Sequence, residues 1–524
     1  MKTTRKPGRY YCLIVLTALS GILGACQPAE APEPDLPAAV LETALPSPTA
    51  ILPTGAPTAI EAVSFEATSE LPDIDELIYM SQAGDSVEGL AARFGVAPGE
   101  IVWLDAPAET TLWDSYPGFI DPSLRLSIPH VLTASSLAAR LIPDSEVIFS
   151  ATAADFDVTA YLAGCGGFLA SYQASDFVSA PKSSGEVVQL VGLENSINPR
   201  LLLAILEYYS GCVQGELATG VSSDYLMGVD GWQYKGLYNQ LVWLVEELTA
   251  GYYGWRDGSL TEITLQDGSE VRLEPTLNAG TVAVQYAFAQ LYDQASWEQA
   301  LDPQTGFAAL YTELFGDPWQ RAEAVEPLLP AGFAQPPMEL PFLPGHTWSY
   351  TSGPHSAWEQ NGAPAALDFT PSSTEVTCAP SYEWVAAAAS GEIVRVGEGL
   401  IVQDLDGDGS EHTGWVLVYV HVHLDRSDLF QVGTWLEAGQ LIGHPSCEGG
   451  PSQSTHLHIA RKYNGEWMLA GGPEPFNLDG WQAVAGAEPY DGYLVKDGVV
   501  IEANDMALRN SYIKKPRPTP KAGQ

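Results

Sequence analysis

The sequence predicts a multidomain protein: an all-β domain of antiparallel strands toward the C-terminal end, a central α-helical domain, and a small βααβ unit ahead of both. Three observations predict it. The texture changes at proline-rich joints, from Pro28 to Pro57 and again at Pro336-Pro337 and Pro341 to Pro344. From about Asp155 to Leu329 the pattern is helical, whereas beyond the second joint apolar residues form short strand-like runs between Gly-rich turns. At 524 residues, 46% hydrophobic, the chain has room for three or four domains with ordinary cores.

The N-terminal end reads as an export signal. Lys2, Arg5, Lys6 and Arg9 precede an apolar stretch from Tyr11 to Leu23 that is too short for a comfortable membrane span. Its end, Leu23-Gly24-Ala25-Cys26, resembles the lipobox of bacterial lipoproteins. That resemblance implies a signal peptide over residues 1–25 and a lipid anchor on Cys26, placing the protein at the extracellular face of the cell membrane. An ordinary secretion signal cut nearby is the alternative. Residues 26–72, rich in Pro, Ala, Thr and Glu, cannot build a core and are expected to act as a semi-rigid spacer.

Charge limits the partners. With 23 Lys and Arg against 65 Asp and Glu, the formal net charge is -42, which argues against nucleic acid. Beyond Cys12 and Cys26, four cysteines remain: Cys165, Cys212, Cys378 and Cys447. In an exported protein an even count favours disulfides. Three pairings are possible, and the expectation is pairing within domains, Cys165 with Cys212 and Cys378 with Cys447.

The unit at 77–131 reads as a strand from Ile78, a Gly84-Asp85 turn with Asp85 or Ser86 as helix cap, and an amphipathic helix stopped by Gly95. A second helix is expected near Pro98, and a closing strand ending at Pro129. The pattern resembles the lysin motif (LysM), which implies binding to N-acetylglucosamine chains of peptidoglycan or chitin. An insertion from Ala106 to Phe119 lengthens the stretch before the last strand.

In the helical region, 155–329, Asn198 caps a run that begins with Pro199, has a strongly apolar body and delivers Glu207 near its end. Leu237 to Leu248 form another helix, and Leu277-Asn278-Ala279-Gly280 a further capped start. The combination loosely resembles lysozyme-like lytic transglycosylases, in which a helix presents a catalytic Glu. There the Glu is followed directly by Ser, whereas here Tyr208 and Tyr209 intervene before Ser210. Glu207 is therefore either a general acid or a helix-end carboxylate bonded to backbone or solvent.

The all-β unit carries the chemistry. In Thr455-His456-Leu457-His458-Ile459 the period of two places both histidines on one strand face. His355 follows Gly353-Pro354, and Asp368 lies between Leu367 and Phe369, an awkward place for a carboxylate unless it is paired or metal-bound. His355, Asp368 and one histidine of the pair would make a two-His, one-carboxylate site suited to catalytic zinc. His346, His412 and His444 sit in polar or Gly-adjacent turns and read as structural.

Gly-Pro-His, a later Leu-Asp-Phe, Tyr419-Val420-His421 and Thr-His-Leu-His resemble the lysostaphin-type zinc endopeptidases that cut peptidoglycan peptides. The spacing from His355 to Asp368 is similar to that of the β-lytic branch. The resemblance covers residues 342–470 and implies an all-β catalytic domain of the lysostaphin-type fold. It also implies zinc (Zn2+) bound by His355, Asp368 and His458, with His456 and His421 as catalytic groups facing the peptide. His456 would carry the proton and His421 would stabilise the oxyanion. His423 shares the strand face of His421 in a continuous strand and stays its rival for that role.

Asp404, Asp406 and Asp408 imitate the start of a calcium loop, but Trp415 stands where such a loop needs Glu. A polar hairpin turn is expected, with weak calcium binding as the alternative. The basic stretch at 505–524 is expected to be a solvated, disordered tail. The leading functional expectation is a zinc endopeptidase acting on peptidoglycan cross-links. A non-catalytic wall-binding scaffold or hydrolase activator, and a two-headed lysin whose middle domain cleaves glycan, are the alternatives.

Overall fold

The computed structural model describes residues 76–129, 136–175, 180–358, 360–372 and 377–517. The export signal, the Cys26 anchor, the proline-rich spacer and the last residues of the basic tail lie outside the described residues. Among those described, no helix is long and apolar enough to cross a membrane.

The first unit comprises strand β1 (Glu76–Met80), helix α1 (Val87–Phe94), and strands β2 (Val102–Trp103) and β3 (Arg125–Pro129), in an antiparallel sheet of order β1-β3-β2. Ser86 caps α1 by accepting a hydrogen bond from the Gly89 amide, and Gly95, at φ 68°, ends it in the left-handed conformation that glycine adopts without cost. The expected second helix is a single 3-10 turn, Pro98–Glu100. The insertion adds one helical turn, Leu112–Ser115. Tyr79, Leu90, Phe94, Leu126 and Ile128 close a separate small core.

The helical region is built on α2 (Ser184–Asn195), α3 (Pro199–Ser210), α4 (Leu237–Asp257) and α5 (Ala279–Ala289). Asn198 caps α3 by accepting from the Arg200 amide at 2.9 Å, with Pro199 at the first helical position, as the sequence predicts. Asn278 precedes α5 but its amide donates instead to the Ile142 carbonyl and to Asp144, tying the helix start to the segment before the region. The expected Cys165–Cys212 bridge is not formed. Cys212 is buried in the helical core, and burial pushes its thiol up to about 12, so it sits there as a small apolar side chain.

The β region forms one large antiparallel sheet from β4 (Thr347–His355), β5 (Ala366–Pro371), β6 (Gly391–Gly397), β7 (Leu400–Asp404), β8 (Trp415–Val420), β9 (Trp435–Leu436), β10 (Leu457–Tyr463) and β11 (Tyr512–Lys514). Their spatial order is β9-β6-β7-β8-β10-β5-β4-β11. Both faces are covered. Along β8, Leu417 and Tyr419 enter the core of the β region while Val416, Val418 and Val420 join the helical core. The prolines at 336–344 therefore mark a joint in the chain but not a gap in the packing: helices and sheet share one apolar layer.

The tail from 505 corrects the sequence expectation. Tyr512–Lys514 pairs with Ser349, Trp348 and Thr347 as the edge strand β11, and Lys515 donates from Nζ to the Leu340 carbonyl at 2.8 Å. Ile513, buried between the less buried Tyr512 and Lys514, supplies the alternation that docks it. A further sheet, of the strands Asn477–Leu478, Trp481–Ala485, Gly492–Lys496 and Val499–Glu502, follows β10. The loop from its second to its third strand reaches back to β4.

A buried charge cluster braces β6 and β10. Glu411 accepts from Arg395 at 2.7 and 2.9 Å and from Lys462 at 3.4 Å. Burial opposes ionisation of Glu411, but Lys462 and Arg395 outweigh it and bring the carboxyl from 4.5 down to about 2. A depressed folded pKa gives stability that is complete above pH 4.5 and is lost as pH falls toward 2. The loss should amount to about 3 kcal/mol. Chemical denaturation across that window should show it, and Glu411→Gln should flatten the slope.

Candidate metal centre

Strand register assembles the site. His458 on β10 pairs directly with Asp368 on β5, and on its other side with Val420, the last residue of β8. Two bulges in β4, between Tyr350 and Ser352 and between Ser352 and His355, rotate the strand end so that His355 turns toward Asp368. Gly353 is required here. A Cβ at that position would meet the Asp491 carbonyl oxygen at 2.2 Å, and the Gly353 carbonyl accepts from His355 Nδ1 at 2.8 Å.

Three donor atoms converge without a proton to share. His355 Nε2 lies 3.3 Å and His458 Nδ1 3.2 Å from Asp368 Oδ1, and the two nitrogens are 3.1 Å apart. His355 holds its proton on Nδ1 for the Gly353 carbonyl, and His458 holds its own on Nε2 for the Ala357 carbonyl at 3.1 Å. In the neutral rings the facing nitrogens are therefore bare lone pairs, and Asp368 Oδ1, fully buried, has no hydrogen-bond donor among the described residues. Tetrahedral ligands about 2.0–2.1 Å from a metal stand roughly 3.3 Å from one another. The chemistry of the donors and the orphaned oxygen thus fit a divalent metal held by His355, Asp368 and His458.

For Asp368 and His458 the electrostatics agree. Burial would raise Asp368, but His355 and His456 outweigh it and hold the carboxyl well below the usual carboxylate range. Burial pushes His458 down, toward the neutral ligand form. For His355 burial also opposes the charge, yet the adjacent Asp368 wins and raises it.

Two more imidazoles border the site. His456, just before β10, holds Nδ1 at 2.7 Å from the Ser454 carbonyl and Nε2 at 3.7 Å from Asp368 Oδ2. His421 donates from Nδ1 to the Glu448 carbonyl at 2.7 Å, and its ring centre is 4.5 Å from that of His456. Burial, then His456, pushes His421 down to about 4.

A break in the strand separates His421 from His423. His421 has φ 63°, a conformation rare for a residue with a side chain, and it divides β8 from the two-residue strand Val422–His423. The two histidines do not share a face. His421 turns to the site, and His423 turns to Glu448 Oε1 at 2.6 Å and Asp425 at 3.5 Å. Tyr490 was not foreseen from sequence. It stacks on His355 with ring centres 4.6 Å apart while 53% exposed, and its loop is anchored by a bond from the Gly353 amide to the Tyr490 carbonyl. Its only sequence signal is a lone aromatic in a Gly- and Pro-bearing stretch.

His346, His412 and His444 bond to Glu383, the Phe149 carbonyl and Asp425 respectively, outside the centre. Glu207 accepts from the Val213 and Gln214 amides at 2.7 and 3.1 Å, which fastens the loop after α3. Asp404, Asp406 and Asp408 lie in the β7–β8 hairpin, and their oxygens accept from the loop's own amides at Asp406, Gly409, Asp408 and Ser410. Trp415 is a strand residue opposite Tyr463, not a ligand position. The Cys378–Cys447 disulfide forms as expected and ties the segment after β5 to the loop before β10.

Residues 140–329 match the family model of the LasA N-terminal domain. No curated protein sequence matches the chain. Among solved structures the chain is similar to the M23 metalloprotease pseudoalterin from the deep sea, at 24% identity over 33% of this chain and 96% of that one, TM-score 0.26. It is also similar to the catalytic domain of the antimicrobial peptidase lysostaphin from Staphylococcus simulans, at 24% identity over 24% and 89%, TM-score 0.18. A zinc-containing peptidase from Vibrio cholerae shares 17% identity over 27% and 41%, TM-score 0.19.

Proposed function

We propose that the chain is a zinc-dependent endopeptidase that hydrolyses peptide cross-links of bacterial peptidoglycan. One observation carries the reading: two bare imidazole nitrogens and an orphaned carboxylate oxygen converge at 3.1 to 3.3 Å, with two further imidazoles at the rim. Zinc bound by His355, Asp368 and His458 would supply a Lewis acid for the scissile carbonyl and a water of lowered pKa.

The chain's own residues divide the remaining work. With Nδ1–H committed to the Ser454 carbonyl, His456 offers Nε2 as a proton acceptor beside Asp368. The proton on His421 Nδ1 likewise leaves its Nε2 bare, and its low pKa keeps it neutral. An oxyanion-stabilising role for His421 requires a proton on Nε2. The tautomer therefore turns a lone pair, not a donor, toward the site, and the low pKa disfavours the imidazolium that an oxyanion-stabilising role would need. Tyr490, stacked on His355, is placed to touch whatever approaches that ligand.

The 77–131 unit is proposed to direct the enzyme to wall glycan, through a LysM-like surface that leaves Val102, Leu104 and Trp113 exposed. Its β1–α1 turn is not part of that surface. Gln82 donates to the Thr276 carbonyl at 3.2 Å, and Arg256 donates to the Ala83 carbonyl. Cys26 as a lipid anchor at the extracellular face of the membrane, or simple secretion, completes the proposal. Nothing at Glu207 favours the glycan-cleaving alternative, since both its bonds serve the loop.

The test is zinc content of the purified full-length protein together with turbidity loss and co-sedimentation of purified cell walls. The expected result is about one zinc per chain and walls cleared until a chelator is added. A protein that holds no zinc and clears nothing, yet sediments with the walls, would replace the enzyme by the scaffold.

A further inference from the structure

Glu448 is gripped at both ends by histidines two positions apart. Its carbonyl oxygen accepts from His421 Nδ1 at 2.7 Å, and its carboxylate oxygen Oε1 lies 2.6 Å from His423 Nδ1. The segment between these contacts is already narrow. Glu448 follows Cys447 of the disulfide, its amide donates to Ser446 Oγ at 3.1 Å, and the Ser446 amide donates to the His421 carbonyl at 2.7 Å. On the far side Gly399, at φ 68°, lies so close that a Cβ there would meet the Glu448 carbonyl carbon at 2.3 Å.

His421 is buried beside His456, but one hydrogen bond sets which of its ring nitrogens carries the proton. It sits at φ 63°, outside any strand ladder, and its one ring contact to the backbone is that Glu448 carbonyl. A main-chain carbonyl can rotate away when its peptide plane turns. What resists that turn on the side-chain end is the bond to His423. His423 in turn is fixed by its ladder pairing to His444 and by Asp425, whose other oxygen binds His444 Nε2 at 2.9 Å.

We infer that His423 is a positioning residue: through Glu448 it fixes the ring and the tautomer of His421, keeping the proton on Nδ1 and Nε2 turned to the metal centre. The inference rests on the peptidase reading only for its effect on rate; the tautomer itself is a property of the fold. The role comes from the break at His421, which sends the two histidines to opposite sides of one residue, Glu448.

The experiment uses the full-length protein labelled with 15N-histidine, with the His421 ring signals assigned by their loss in His421→Gln. In the wild type His421 should show a single neutral tautomer protonated at Nδ1. His423→Val removes the donor to Glu448, and should give a mixture of tautomers and a fall in kcat of roughly 10-fold or more, with KM and zinc content unchanged. Glu448→Ala should reproduce this by cutting the link from its other end. His423→Asn places an amide donor where Nδ1 stood, and should restore the single tautomer and bring kcat to within about 3-fold of wild type. If both His423→Val and Glu448→Ala keep the wild-type tautomer, the inference is overturned. If the wild type cuts nothing, the tautomer arm still decides it, while the peptidase reading fails alone.

Discussion

Asp368→Ala should abolish stoichiometric zinc and reduce wall clearance by roughly 10³-fold or more, whereas His456→Gln should keep the zinc and still lose about 10²-fold. The two substitutions separate the groups by what their contacts are. Asp368 Oδ1 is the buried oxygen on which the His355 Nε2 and His458 Nδ1 lone pairs converge, and among the described residues no group donates to it. Without it two neutral imidazoles remain, too few to hold a metal firmly in an open site. His456 approaches only the outer oxygen, Oδ2, at 3.7 Å, and stands outside the triad. Metal analysis and wall turbidity on the same preparations check both. Zinc retained at wild-type level in Asp368→Ala would remove the proposed ligand set; loss of zinc in His456→Gln would make that histidine a ligand.

Arg256→Met should destabilise the protein by about 3–5 kcal/mol, the typical result of leaving buried charges without their partner. Arg256 lies at the C-terminal end of α4, 8% exposed, where three parts of the chain meet. Its guanidinium reaches Glu466 at 3.1 Å, Asp144 at 3.2 Å and the Tyr252 hydroxyl at 2.8 Å, and donates to the Ala83 carbonyl of the first unit. Burial already raises Glu466 above the ordinary carboxyl range even with Arg256 beside it, so removing the cation leaves it to protonate or to draw in water. A double variant with Glu466→Gln should recover a large part of the loss, because it deletes the stranded charge. Calorimetry gives both values. A change below about 1 kcal/mol for Arg256→Met would show that the cluster does not brace the junction.

Much of the site was legible along the chain. Gly353-Pro354-His355, Leu367-Asp368-Phe369 and Thr455 to Ile459 each carry a local signal: a histidine after a turn, a carboxylate among apolar neighbours, and two histidines at strand period. The same holds for the Asn198-Pro199 helix start, the Gly95 stop, and the Asp404 hairpin. Local rules suffice there because each depends on residues within one turn or one strand.

What the sequence could not decide depended on partners far along the chain. Cys212 was expected in a disulfide and is instead packed in the helical core, since pairing depends on how α3 and the segments around it dock. The basic stretch near the end reads as polar in composition, yet it contains a strand that completes the sheet edge beside β4. Tyr490 gained its place only through the contact of its loop with Gly353.

The sequence by itself determined the residue types of the centre and the alternation of helical and strand-like regions, because side-chain chemistry and apolar period are local properties. Only the tertiary structure decided which lone pairs face one another, that His421 rather than His423 turns inward, and that helices and sheet share a core. Those are set by strand register, two bulges in β4 and a left-handed residue after β8, where a shift of one position reverses every side chain.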